Sequence, residues 1–186
     1  MSRFEIAPTM LTDVYQLRLQ PLGDPRGRLT RLFCEQELRV VLGSRHIVQI
    51  NHSQTRQRGS VRGLHFQYSP HAETKLITCL RGVVFDVAVD IRAGSPTFLQ
   101  WVGMELSAEN SAMILIPEGC AHGFQTLSDD AELLYLHTAP YAPESEGGLH
   151  YADPRLEITW PLPLADISPR DQNHALLSAD FSGIVV

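Results

Sequence analysis

From Val83 to Ile91 the chain reads Val-Val-Phe-Asp-Val-Ala-Val-Asp-Ile, with every odd position apolar and Asp86 and Asp90 falling between them. A period of two is that of a β-strand with one buried face. The segment Ala131–Thr138 is apolar on both faces and carries Tyr135 and His137 on the same one. Further strands are predicted over 12–19, 28–33, 46–52, 61–67, 75–80, 98–106, 112–116 and 121–127. Turn-forming runs separate them: Gly23-Asp24-Pro25, Arg92-Ala93-Gly94-Ser95-Pro96, Ser107-Ala108-Glu109-Asn110 and Ser128-Asp129-Asp130. The one clear helical stretch is Glu35–Leu42, ended by Gly43. Beyond Tyr141 the sequence turns irregular, with Pro154, Pro161, Pro163 and Pro169 breaking any long element, and the last dozen residues are expected to form a loosely packed tail. Many short strands without alternating helices predict an antiparallel sandwich or barrel. With no internal repeat and no linker, residues 1–186 are expected to form one all-β domain with its core over about 10–175.

Composition narrows the function classes. A chain of 186 residues that is 44% hydrophobic suits one globular domain with a substantial core. The formal charge of -6 and the lack of a basic run argue against a nucleic-acid binder. No apolar run approaches the ~18–20 residues of a membrane span, and MSRFEIAPTM lacks the apolar core of a signal peptide. Cys34, Cys79 and Cys120 are odd in number and far apart, so reduced thiols in a cytoplasmic protein are expected. Of the 15 basic residues, all are Arg but one, Lys75. Genomic bias accounts for such an imbalance. A Lys retained despite it suits a place where a compact ammonium is needed beside a single oxygen, although an exposed strand-edge Lys is the simpler reading.

Three stretches carry residues with catalytic potential. In Val61-Arg62-Gly63-Leu64-His65-Phe66-Gln67, strict alternation puts Arg62 and His65 on opposite faces, and a bulge at Gly63 would bring them to one. The second stretch, Pro117-Glu118-Gly119-Cys120-Ala121-His122-Gly123-Phe124, has the PxGxxH form of the second motif of cupin jelly rolls. In metal-binding cupins that His joins an HxH pair, but here the matching run is His65-Phe66-Gln67. Gln67 thus stands where the second His belongs, and His71 has the wrong spacing. Three protein ligands are the usual minimum for a catalytic metal, so no metal is expected. What remains is a cupin-like pocket suited to metal-free acid–base chemistry. The third set is Lys75, Tyr135 and Asp171. Read alone, Tyr135 suits a core aromatic and Asp171 a helix or turn cap.

Together these stretches resemble the dTDP-4-dehydrorhamnose 3,5-epimerase family over about residues 10–175. The resemblance runs through Gln49, Asn51-His52-Ser53, Val61–Gln67, Lys75-Leu76, Val84–Arg92, Ser95-Pro96-Thr97-Phe98, Trp101-Val102-Gly103, Leu106–Asn110, Ile116–Gly119, Ala121–Phe124, Leu134-Tyr135 and Tyr141–Glu146. It implies a cupin-like antiparallel jelly roll with a few short helices, a homodimer, no cofactor, and inversion at C3, C5 or both of a 4-keto-6-deoxyhexose carried on dTDP. Such inversion removes a proton from one face of a carbon next to a ketone and delivers one to the other. It therefore needs a base, an opposed acid and a fixed positive group beside the enolate oxygen. The resemblance assigns the base to His65, its orienting carboxylate to Asp171, the acid to Tyr135 and the enolate-stabilising ammonium to Lys75. It places His122 in the sugar pocket, Gln49, Asn51 and Tyr141 along the nucleotide-sugar channel, and Arg62 and Arg26 at the diphosphate.

The nucleotide end departs from the family pattern. Asp24-Pro25-Arg26-Gly27-Arg28-Leu29-Thr30-Arg31 keeps Arg26, but Arg28 stands where an aromatic is common and Arg31 where an acidic residue is. Tyr151-Ala152 replaces the usual Trp-Asn before Asp153. A single-centre 3- or 5-epimerase is the nearest alternative; a metal-dependent cupin enzyme and a non-catalytic sugar-binding jelly roll are the others.

Overall fold

The computed structural model describes residues 2–186. In chain order its elements are β1 (Phe4–Pro8), β2 (Tyr15–Leu19), β3 (Leu22–Asp24), β4 (Gly27–Leu29), α1 (Glu35–Leu42), β5 (Gln49–Thr55), β6 (Ser60–Gln67), β7 (Lys75–Arg81), β8 (Val83–Asp90), β9 (Trp101–Ser107), β10 (Ala112–Ile116), β11 (Cys120–Thr126) and β12 (Ala131–His137), then β13 (Glu146–Gly148), β14 (Ala165–Ile167) and α2 (Pro169–Gln172), with a 3-10 turn at Pro143–Ser145. One sheet has the order β1-β2-β10-β7-β12-β5 and the other β13-β6-β11-β8-β9, with β14 added alongside β6. The ladders are antiparallel except β14 on β6. From β5 to β8 the chain crosses between the sheets at every step, as it does again from β10 to β12. This is the jelly-roll path, and it sets β6 and β12 on facing walls although some 70 positions separate His65 from Tyr135.

Each sheet buries both faces. Between the sheets lie Ile77, Val84, Ala88, Ile114, Phe124 and Leu133. Outside the first sheet, Leu76, Met113, Leu115 and Leu136 are covered by Leu38 and Leu42 of α1 and by Phe4 of β1. The boundaries of α1 coincide with those expected. Glu35 and Glu37 favour the positive end of its dipole, and Gly43 turns it off at φ 62°.

The strand alternation at 83–91 predicts one solvent face, and the structure differs. The odd positions Phe85, Val87, Val89 and Ile91 pack under Leu149, Leu156, Ile158, Trp160 and Ile184 of the Pro-rich C-terminal segment, while Val84, Asp86 and Ala88 point inward. The segment that looked irregular is thus the outer cover of the second sheet. Its short strands β13 and β14 escape sequence reading because Glu-Gly-Gly and a three-residue parallel edge carry no periodic signal. The tail expected to be loose leaves Val185 exposed but is pinned at Ile184, buried and bridged to Arg92. Residues 30–33, expected to continue a strand, have no ladder partner; Leu32 and Phe33 instead pack against the outer core of the first sheet.

Asp90 illustrates what the inner charges do for stability. Its carboxylate is fully buried and accepts from Arg92, Ser95 and Thr97 at 2.8, 2.5 and 2.6 Å. Burial alone would raise its pKa, but these donors outweigh burial and hold it at about 2. A carboxylate depressed in the folded state stabilises the protein above its unfolded pKa, near ~3.9, and loses that contribution as pH falls toward 2. Asp90→Asn should therefore lower stability by about 3 kcal/mol at pH 7, on the order of 8 °C in Tm. Calorimetry at falling pH should show the gap between the two proteins closing below pH 4.

Candidate active site

A cavity of about 560 Å³ opens between the sheets. One wall is the inner face of β7, β12 and β5. There the register aligns Lys75 with His137 and Gln49, and in the next row Ile77 with Tyr135 and Asn51. The opposite wall is β6, β11 and β8, where His65 pairs with His122 and Arg62 with Phe124. The register shift between those pairs is the bulge expected at Gly63, and Arg62 and His65 both line the cavity. Only glycine fits there. Its φ is +115°, and a Cβ would lie 2.6 Å from the Gly123 Cα.

His65 Nε2 lies 2.7 Å from Asp171 Oδ1. The other carboxylate oxygen, Asp171 Oδ2, accepts from the Gly63 amide at 3.2 Å. Ser168, not Asp171, caps the short helix α2, its hydroxyl accepting from the Asp171 amide. The capping alternative for Asp171 is therefore set aside, and its side chain is free to face β6. Burial pushes the Asp171 carboxyl up, but the His65 hydrogen bond and ring charge, helped by the Gly63 amide, bring it to about 2. Arg170 Nη2 also stands 2.8 Å from His65 Nε2. One ring nitrogen cannot donate to a carboxylate and accept from a guanidinium together. An ionised carboxylate can only accept, so Nε2 carries the proton toward Asp171 and Nδ1 keeps the lone pair. The guanidinium, held by Glu146 at 3.0 Å, rests against the ring.

Tyr135 reaches into the cavity from the facing wall. Its ring packs on the inner core and stands edge-on to His122 at 5.9 Å, and its hydroxyl is 3.5 Å from Ser53 Oγ. Burial pushes that hydroxyl well above the ordinary phenol range, so it stays protonated. Lys75 is 7% exposed, its Nζ donating to the His65 carbonyl at 3.2 Å and pairing with Glu73 at 3.2 Å. His122 Nε2 lies 2.8 Å from Asp86 Oδ2, and burial raises the Asp86 carboxyl against the opposing pull of His122 and Lys75.

The remaining expected residues divide. Asn51, Arg62 and Tyr141 line the cavity; Gln49 stands behind the rim, its side chain bonding Asn51 and the Tyr141 amide. Arg26 is not brought to this cavity. It sits at the tip of the exposed β3–β4 hairpin, bound to Asp24 at 2.6 Å. Arg28 and Arg31 are likewise engaged elsewhere, with the Ala108 carbonyl and Glu37. Four further lining residues, Glu73, His137, Glu146 and Arg170, escaped the sequence reading; the one available signal was that His137 shares the face of Tyr135.

Gln67, in the place of a metal-binding His, is buried and bonds the His71 and Pro140 carbonyls and the Ala142 amide. His65, Asp171 and His174 bring three possible ligand atoms within 4.8 Å of one another. The Arg170 guanidinium against His65 Nε2 takes up the space a cation would need and opposes it by charge.

Comparison with known proteins agrees with this geometry. The family model for dTDP-4-dehydrorhamnose 3,5-epimerase matches residues 8–179. The chain is 45% identical over 174 residues to the dTDP-4-dehydrorhamnose 3,5-epimerase of Salmonella typhimurium, covering 92% of this chain and 94% of that one. It is 38% identical over 174 residues to a dTDP-4-dehydrorhamnose 3-epimerase of Streptomyces niveus, covering 93% and 84%. Among solved structures, the dTDP-6-deoxy-D-glucose-3,5-epimerase of Legionella pneumophila, in complex with dTDP-4-keto-L-rhamnose, superposes with a TM-score of 0.90 at 41% identity over 98% of this chain and 99% of that one. A jelly roll whose facing sheets hold an imidazole–carboxylate pair and a buried phenol, matched over nearly its whole length, belongs to the dTDP-4-dehydrorhamnose 3,5-epimerase family of isomerases.

Proposed function

We propose that this chain epimerises dTDP-4-keto-6-deoxyglucose at C3 and C5, through an enolate at each centre. One observation carries the reading: His65 with Asp171 and Tyr135 project from opposite sheets into the same cavity, with Lys75 at its inner side. His65 Nδ1 removes the proton, since it holds the free lone pair of the ring and the Asp171 carboxylate at Nε2 stabilises the imidazolium that forms. The electron pair moves onto the ketone oxygen beside the Lys75 ammonium. Preorganised charge of this kind contributes a few kcal/mol to the barrier, on the order of a hundredfold or more in rate. Tyr135 returns a proton from the other face. His122, fixed by Asp86, and Asn51 hold the sugar, Gln49 steadies Asn51, and Tyr141 borders the channel mouth. Arg62 and Arg170 supply cationic forks for the diphosphate, and binding there would draw Arg170 off His65. Residue types support these roles; no metal or organic cofactor is needed for them.

Arg26 fits a diphosphate role only if the exposed hairpin reaches a second copy, so we assign it to the partner's site in a homodimer. No helix among the described residues is long and apolar enough to cross a membrane. A cytoplasmic site of action is our reading from the reduced thiols expected of the sequence.

The test is incubation with dTDP-4-keto-6-deoxyglucose in heavy water, with the label located by NMR. Deuterium at both C3 and C5, with inversion at each, is the expected result. Label and inversion at one carbon would make the chain a single-centre enzyme like its Streptomyces relative, and no label would remove the epimerase reading.

A further inference from the structure

The wall that carries Tyr135 holds a second imidazole–carboxylate pair, unused in the mechanism above. His137 Nδ1 lies 2.7 Å from Glu73 Oε2, and the two side chains are only 10% and 9% exposed. Glu73 also pairs with Lys75, whose side chain is equally buried. Burial opposes ionisation of Glu73, but the His137 hydrogen bond and the Lys75 charge bring its pKa below the usual value, so it remains a carboxylate. An ionised Glu73 can only accept, so Nδ1–H donates to it, which leaves Nε2 as the ring atom that can take up and give a proton, 3.4 Å from the Asn51 amide nitrogen. His137 lies two residues after Tyr135 in β12, on the same face, with the rings 6.0 Å apart and 14° from parallel. Both line the cavity.

We propose that His137, oriented by Glu73, is a second proton donor on this wall, serving one of the two ring carbons while Tyr135 serves the other. The inference rests on the epimerase reading and deepens it. Two inversions need two deliveries from the side opposite His65, at carbons two bonds apart. A lone phenol must be reloaded between them, and burial makes this phenol a reluctant acid. An imidazolium is the stronger donor by several pK units in its unperturbed form, and Glu73 fixes this ring by its Nδ1.

The carbon-bound proton passes to His65 Nδ1, and the C–H electron pair enters the enolate, whose oxygen carries the charge beside Lys75. The enolate then re-forms the ketone while its carbon takes the proton from His137 Nε2, leaving a neutral imidazole. His65 releases its proton to solvent and His137 recovers one.

The experiment is the heavy-water incubation repeated with His137→Asn, whose amide can still donate to Glu73 and so keep Lys75 anchored. Inversion at one ring carbon should fall at least about 100-fold, its label then appearing in the original configuration, while the other carbon stays within about twofold of wild type. Glu73→Gln should slow both carbons, and the one His137 serves more, because its one amide oxygen cannot accept from both Nδ1–H and the Lys75 ammonium. If His137→Asn labels and inverts both carbons at wild-type rates, or loses inversion at both equally with an unchanged melting curve, the proposal is overturned. Should His137→Asn fail to fold, His137→Gln decides by the same selective loss or its absence. Wild-type protein that labels one carbon only overturns this proposal but leaves the epimerase reading standing. Wild-type protein that labels neither removes the epimerase reading itself.

Discussion

His65→Asn should reduce both solvent exchange and product formation by about 10³–10⁴-fold while leaving the fold intact. Asn can reproduce one hydrogen bond of the imidazole but cannot take up a proton, and general base catalysis is worth about 10²–10⁴-fold by itself. The loss should sit at the upper end, since Asp171 and His122 of that wall are both committed. Asp171 faces the ring and the Gly63 amide and is held at about 2, too weak a base to take a carbon-bound proton. His122 is occupied by Asp86. A variant with wild-type exchange would show that the proton leaves by another route. Circular dichroism and a melting curve separate chemistry from stability: His65 is partly exposed at the cavity, outside the three cores, so Tm should move by only a few degrees.

Tyr135→Phe should slow inversion by about 10²–10³-fold but spare much of the exchange at the carbon it serves. Phe keeps the ring that packs against the inner core and removes only the hydroxyl. Stability is expected to change little, because the single bond that hydroxyl makes, to Ser53 at 3.5 Å, is weak. Without a donor opposite His65, the imidazolium exchanges its proton with solvent and returns a deuteron to the enolate on the face the proton left.

Most of the strands were legible because their signal is local. The alternation at 83–91 and the doubly apolar run at 131–138 each describe a strand without reference to anything distant. Gly63 was legible too, since a glycine inside a strand marks a bulge, and that bulge is what puts Arg62 and His65 on one face. Lys75 stood out by being the one lysine of the chain. Asp171 is different in kind. Nothing in Ser-Pro-Arg-Asp-Gln distinguishes it from a cap; the family resemblance alone singled it out, and its contact with Gly63 spans 108 positions. Glu73 and His137 stayed hidden for the same reason: their pairing depends on the approach of a loop before β7 to the end of β12. The outer layer over the second sheet was misread as irregular because single residues such as Leu149, Leu156 and Ile184 cover it, with no period to betray them. Arg26 lies away from its own chain's cavity because a motif fixes a residue type but not where its hairpin projects.

In the proposed mechanism the two faces of one sugar carbon meet different walls of the cavity, and the ratio of exchange to inversion in Tyr135→Phe reads this out. In heavy water, unreacted 4-keto sugar recovered from this variant should carry deuterium with its original configuration, so that exchange outruns inversion by at least about tenfold at the carbon Tyr135 serves. If exchange and inversion instead keep their wild-type ratio at both C3 and C5, the phenol delivers nothing and the account of two opposed walls is wrong.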